Sequence, residues 1–390
     1  MAVDSVTEGA GLDVRDPETP FADLQTAAEW YDRWLRRAAL PIWWAQGVDK
    51  TQGGFIEGLS VEGEPRPGPR RARVQGRQVY VYATAGLIGW EGPWREAAWC
   101  GMDFFAERFR RSDGLFRTLV GPDGAVLDDT AMLYDQAFAL LGTATLYRAD
   151  PERRTRLREI ALGVFGGLKA MRNPAGGFVE NIAYPYQANA HMHLLEGALA
   201  WAEIDPQPWN DMAAEIVDMA LSLFIDQQGG FLREFFDAAW RVVGDDNGRL
   251  VEPGHQFEWA WLLEAWGRKN DRADVVDAAR RLYNAGLRGV DPQRGVAVNE
   301  LWDDFSPRDA TARLWPQTER LKAELLFGNE TSQLAAAETL RLYLQTPTPG
   351  VWRDKMRADG SFIEEPAPAT SFYHVLCACL ELFRRARRDS

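Results

Sequence analysis

The chain has four histidines, His191, His193, His255 and His374, in 390 residues. Each stands where a polar cluster opens an apolar, helix-periodic stretch, and none stands elsewhere. An imidazole ordinarily titrates near pH ~6.5, so it can take or give a proton at neutrality. Proton transfer is therefore the first chemistry these positions suggest. Metal binding is the second, and the spacing argues against it. His191 and His193 are two residues apart in a helical context and point to different sides, so both cannot serve one ion. The three cysteines, Cys100, Cys377 and Cys379, form no CxxC or zinc spacing. No metal, phosphate loop or redox cofactor is expected.

Other groups at the same helix starts could assist. Arg77 follows a basic cluster, Arg71 and Arg73, and precedes Tyr80 and Tyr82. It is a candidate donor fork for a substrate oxygen or a developing oxyanion. Tyr134 and Asp135 open the second cluster, where Asp135 can equally cap its helix. Asn189 shares a helix face with His193. Glu258 lies one turn beyond His255, where a carboxylate raises an imidazole's basicity and fixes its ring. Trp315, Gln317 and Glu319 form the fifth cluster, with Lys322 beyond, and His374 lies in the sixth.

Six helix starts need six copies of something, and the chain has them. A glycine turn recurs about every 60 residues, at Gly53, Gly114, Gly176, Gly229, Gly295 and Gly350. Helical periodicity predicts segments at 24–38, 79–88, 94–109, 131–147, 152–170, 190–203, 209–224, 255–266, 272–287, 312–327, 333–344 and 371–386. The connections at 114–126, 229–243 and 350–364 read as strand, turn, strand. Twelve helices in six pairs predict an all-α fold, a closed (α/α)6 barrel (toroid) with short β-hairpins in the connecting loops. If the even-numbered helices are the inner ones, all the polar clusters converge on one mouth. Helix N-termini there offer unpaired N–H groups to sugar oxygens and oxyanions. Residues 1–21 read as an acidic tail, and 22–390 as one catalytic domain.

A net charge of −13 disfavours nucleic acid and anionic membranes as partners. No apolar run approaches the ~20 residues that span a bilayer. The N-terminus has no apolar signal segment, and sparse, odd cysteines fit a reducing cytoplasm. Sixteen tryptophans are numerous. Most read as anchors between helices, and some suit the apolar face of a sugar ring. The chain is compatible with a monomer or a homodimer.

The ordered set of clusters resembles the N-acylglucosamine 2-epimerase family, which includes cellobiose 2-epimerases and mannose isomerases. The matching stretches are Trp43-Trp44 to Phe55, Gln75 to Gln78, Leu133 to Phe138, Asn189 to Glu196, Pro253 to Trp259, Trp315 to Glu319 and Phe372 to Val375. Gln136 stands where the family often carries histidine. The resemblance implies metal-free acid/base catalysis by His255 and His374, with His193 and Arg77 in support, on a monosaccharide. It implies substrate contacts from Tyr134, Asn189, Glu258, Trp315, Gln317 and Glu319. The expected reaction is mannose–fructose isomerisation through a cis-enediol(ate), on the free sugar first and on its 6-phosphate second. Arg70, Arg71, Arg73, Arg313, Arg320 and Lys322 could offset the acidic charge for a phosphosugar. The alternatives are a sugar 2-epimerase, an inverting glycoside hydrolase built on Asp135, Glu258 and Glu319, and a non-enzymatic sugar- or protein-binding barrel.

Overall fold

The computed structural model describes residues 19–180 and 183–389. Most of the expected tail lies outside these residues. Phe21, placed with the tail by sequence, is buried against Trp30 and Tyr31 at ring distances of 6.0 and 6.1 Å. The packed chain therefore begins before residue 22.

Twelve helices are present among the described residues, once consecutive helical turns are joined. They are α1 (24–47), α2 (Ala72–Leu87), α3 (94–109), α4 (Leu133–Ala149), α5 (Arg154–Leu168), α6 (Ala188–Ala202), α7 (206–224), α8 (Pro253–Lys269), α9 (Ala273–Leu287), α10 (Leu314–Phe327), α11 (Glu330–Leu344) and α12 (Thr370–Asp389). Even-numbered helices form the inner ring and odd-numbered helices wrap it. In the inner ring α2 packs on α4, α4 on α6, α8 on α10, α10 on α12, and α12 back on α2. The α6–α8 seam is the loosest. The fold is an (α/α)6 barrel. No helix among the described residues is long and apolar enough to cross a membrane.

Two helix boundaries differ from the periodicity reading. Helix α1 runs through Pro41 to residue 47 instead of stopping before the proline. Proline removes an N–H donor, and wide turns on either side of it (35–39 and 43–47) let the helix continue. Helix α2 starts at Ala72, not at 79. Its first two turns turn polar residues inward, including Gln75 and Arg77, so no apolar stripe marks them. Gly76 lets α2 approach α4, since a Cβ there would lie 2.6 Å from the Phe138 carbonyl oxygen.

Short antiparallel pairs stitch the ring together. Residues just before an inner helix pair with the next connection: Arg70–Arg71 with Leu119–Val120, Tyr186–Gln187 with Phe235–Phe236, Leu250–Val251 with Glu300–Trp302, and Ala312–Arg313 with Lys355–Met356. Ala367–Pro368 pairs with Gly58–Leu59, so the last repeat closes on the first.

Five of the six inner helices also grip the hairpin before them. Gln75 accepts from the Phe55 N–H and donates to the Phe55 carbonyl, both at 2.8 Å. Gln136 does the same to Phe116, Gln256 to Leu232 and Gln317 to Ala297. In the third repeat His191 takes the position, accepting from the Phe178 N–H at 3.0 Å through Nε2. Its Nδ1–H donates to the Gln187 carbonyl at 2.8 Å. These latches satisfy buried backbone groups that no strand partner reaches. Large tryptophans fill the space between the rings, with Trp43 stacked on Trp352 at 4.8 Å.

Candidate active site

Two residues beyond each latch, roughly 200° around a helix of ~3.6 residues per turn, the side chain points to the barrel axis. Those positions are Arg77, Phe138, His193, Glu258, Glu319 and, in the sixth repeat, His374. The latch therefore determines which residue of each cluster faces the centre. A cavity of about 290 Å³ opens above this ring. Arg77, Tyr134, Asn189, His193, His255, Glu258, Trp315 and His374 line it, together with Arg71, Arg73, Glu252, Arg313, Thr370 and Ser371.

His255 enters on the first turn of α8, behind Pro253 and Gly254. Proline's fixed φ suits the start of a helix. Gly254 leaves room for the Trp315 ring, which a Cβ would meet at 2.4 Å. The His255 Nδ1 lies 3.0 Å from a Glu234 oxygen and 3.1 Å from a Glu252 oxygen. Burial opposes the charged ring, but the two carboxylates outweigh it and raise its pKa to about 10. At neutral pH it is an imidazolium whose Nε2–H is left to donate.

His374 lies across Trp315, whose ring is 5.0 Å from that of His255 and 5.8 Å from that of His374. The His374 Nδ1–H donates to Glu319 Oε1 at 2.8 Å. Burial lowers its pKa to about 3, with the Arg77 guanidinium adding like charge. Glu319 stays ionised because Lys322 Nζ sits 2.5 Å away, overcoming the effect of burial. The neutral His374 ring therefore keeps a lone pair on Nε2. His193, with its ring 6.4 Å from that of His374, is also neutral, its pKa lowered to about 4 by burial. Its Nδ1 is 3.3 Å from Glu196.

Arg77 reaches the cavity between aromatic rings, 4.1 Å from the centre of Phe138. It donates to the Tyr134 hydroxyl at 2.7 Å and to the Thr370 carbonyl at 3.2 Å. No carboxylate pairs with it among the described residues. Its Nε, the Asn189 Oδ1 and both Glu258 oxygens are buried without a protein hydrogen-bond partner among the described residues. Burial and the neighbouring Glu319 charge push the Glu258 carboxyl well above the usual range. Buried polar atoms without partners on a cavity wall suit a ligand rich in hydroxyls.

Two residues expected at the substrate lie elsewhere. Gln317 is the latch of the fifth repeat and does not line the cavity. Glu319 lies behind His374, tied to that ring and to Lys322. Asp135 is likewise occupied by Arg73 at 3.0 Å and by the Thr118 hydroxyl. That leaves the hydrolase alternative without its opposed free carboxylates. Glu234 and Glu252 were not among the expected site residues. Glu234 lies two residues beyond the hairpin residue Leu232, the same offset that puts Glu57 at Arg71 and Asp354 at Arg313. That recurring offset is the signal that could have found it.

Two overlapping groups bring ligand atoms within 4.8 Å of one another: His193, Glu196 and Glu258, and Glu258, Glu319 and His374. Lys322 already supplies a cation to Glu319, and Glu196 already accepts from the Tyr373 hydroxyl.

A model of the N-acylglucosamine 2-epimerase (GlcNAc 2-epimerase) family matches residues 53–378. A mannose-6-phosphate isomerase from Rhizobium meliloti (strain 1021) is 45% identical over 366 residues, 90% of this chain and 95% of that protein. The crystal structure of a D-mannose isomerase shares the fold with a TM-score of 0.82 at 20% identity, covering 94% of this chain and 100% of that one. Cellobiose 2-epimerase from Spirochaeta thermophila DSM 6192 does so with a TM-score of 0.83 at 22% identity, covering 94% and 98%.

Proposed function

The chain belongs to the N-acylglucosamine 2-epimerase family and is a sugar isomerase or epimerase, and within that class we propose that it interconverts mannose-type aldoses and fructose-type ketoses. The observation that carries this reading is the pair of histidines held in opposite protonation states across one cavity. An aldose–ketose shift needs an acid and a base at the same time, on neighbouring atoms.

His255 donates its Nε2 proton to the ring oxygen as the sugar opens, takes the O1 hydroxyl proton in return and, an imidazolium again, polarises the C1 carbonyl. His374 takes the proton from C2 through Nε2. The C2–H electron pair forms the C1=C2 bond, and the former carbonyl oxygen takes up the charge, giving a cis-enediol(ate). Arg77 stabilises that oxyanion from a site with no carboxylate of its own. His374, after exchange of that proton with solvent, delivers one to C1 while the O2 proton passes to O1, which leaves the ketose. His193, Tyr134, Asn189 and Glu258 hold the hydroxyls. Trp315 lies under the sugar between the two histidines. The 45% identity to a mannose-6-phosphate isomerase supports the reaction class.

Isomerisation in D2O, followed by NMR, tests the reading. Mannose or its 6-phosphate is expected to give the ketose labelled at C1, with little glucose. Early glucose labelled at C2, with no ketose, would replace isomerisation by 2-epimerisation.

A further inference from the structure

Six cations were candidates from sequence to offset the acidic charge, and the structure sorts them. Arg70 is buried against Asp49 and the Gly53 carbonyl. Arg320 is tied to the Gly295 carbonyl, and Lys322 to Glu319. Arg71, Arg73 and Arg313 remain, and all three line the mouth of the cavity.

These three share one geometry. Arg71 uses Nε to hold Glu57 at 2.6 Å, Arg73 uses Nε to hold Asp135 at 3.0 Å, and Arg313 uses Nε to hold Asp354 at 3.1 Å. None of their terminal nitrogens has a protein hydrogen-bond partner among the described residues. The carboxylates act as struts that fix each guanidinium and leave its outer fork directed elsewhere. Arg95, by contrast, faces Asp150 with both Nε and Nη2.

The three also lie in one sector. Arg71 precedes α2, Arg313 precedes α10, and Thr370 begins α12, which lies between those two helices in the ring. Three helix N-termini therefore open beside the forks, adding N–H groups and partial positive charge. The struts cancel much of the long-range field, but a fork bound at short range does not depend on it. Arg77 adds a fourth guanidinium, with no carboxylate partner among the described residues.

We propose that Arg71, Arg73 and Arg313 form a phosphate subsite at the mouth, so that the substrate is a hexose phosphate monoester with its phosphate at the rim and its reacting carbons at His255 and His374. This rests on the isomerase reading. It reverses the preference for the free sugar that the overall charge suggests.

The test compares kcat/KM for mannose 6-phosphate and mannose in the wild type, Arg71→Gln and Arg313→Gln. Both arginines are partly exposed, at 43% and 38% of their side chains. Thermal melts confirm folding. Arg241→Gln, at a side chain 80% open to solvent, is the control. The wild type is expected to prefer the phosphorylated sugar at least ~10-fold, about 1.4 kcal/mol. Each variant should lose most of that preference, and the control should keep it. Inorganic phosphate should compete with the sugar phosphate in the wild type and more weakly in the variants. Equal use of both sugars, or a preference unchanged in both folded variants, overturns the subsite and leaves the isomerase standing. Inhibition by inorganic phosphate without preferred turnover of the sugar phosphate also overturns it. If neither sugar is turned over, the isomerase reading falls first.

Discussion

His255 and His374 each direct Nδ1 at a buried glutamate, yet one is charged at neutral pH and the other is not. The difference lies in what else touches the glutamate. Glu319 is neutralised by Lys322 at 2.5 Å, so its field at His374 is weak, and burial keeps that ring uncharged. Glu234 has no other cation beside it among the described residues, and Glu252 adds a second carboxylate at 3.1 Å. A carboxylate beside an imidazole therefore does not by itself charge the ring. The count of charges one step further out decides it.

The comparison is broken most severely by removing either ring. His255→Asn and His374→Asn should each lower kcat by ~10²–10⁴-fold, the range for loss of a general acid or base. Circular dichroism should be unchanged. A folded variant of either that keeps wild-type kcat removes that histidine from the chemistry.

A finer change addresses the outer shell. Glu234→Gln leaves a hydrogen-bond acceptor at His255 but removes a charge. With a pKa raised to about 10, the wild-type imidazolium persists well above neutrality. Its kcat/KM should fall as pH rises through about 10. Without Glu234 that alkaline limb should move down by at least a unit, costing ~2-fold or more at pH 9 and little at pH 6. The mirror change, Glu319→Gln, should leave the alkaline limb where it is. An alkaline limb that does not move in Glu234→Gln refutes the assignment of His255 as the charged partner.

Much of this arrangement was legible in the sequence, and the reason is the repeat. The six glycine turns and polar clusters specified the barrel and brought His193, His255, His374 and Arg77 to one mouth. The roles within a cluster were less legible. Gln317 and Glu319 are two residues apart, and both read as substrate contacts. One grips a hairpin outward, and the other stands behind His374. Composition does not separate them, but alignment of the repeats does. The latch is the position shared by Gln75, Gln136, His191, Gln256 and Gln317, and the site is two residues on. Glu234 was missed because its partner lies 21 residues away, across a hairpin that carries no helical period.

The smallest expected effect is also the closest comparison, between His191 and His193. They differ by two residues and face opposite ways. His191 is fully buried, accepts from the Phe178 N–H and donates to the carbonyl four residues back. Gln136 and Gln317 make the same pair of contacts in their own repeats, to the hairpin N–H and to the carbonyls of Met132 and Arg313. Glutamine can therefore replace His191 without leaving a buried group unpaired. His191→Gln should keep kcat within about two-fold and stability at pH 7 within ~1 kcal/mol, whereas His193→Gln should lose activity. The pH dependence gives an independent reading. Burial lowers the His191 pKa to about 4, below its unfolded value of ~6.5. As pH falls from 6.5 to 4, the unfolded chain takes up a proton that the folded ring refuses, and stability is lost. His191→Gln removes that uptake, so denaturant melts at pH 4.5 should show a smaller drop from pH 7 than in the wild type. A folded His191→Gln enzyme with turnover reduced more than ten-fold would place that ring in the reaction after all, and the latch alignment would have to be redrawn.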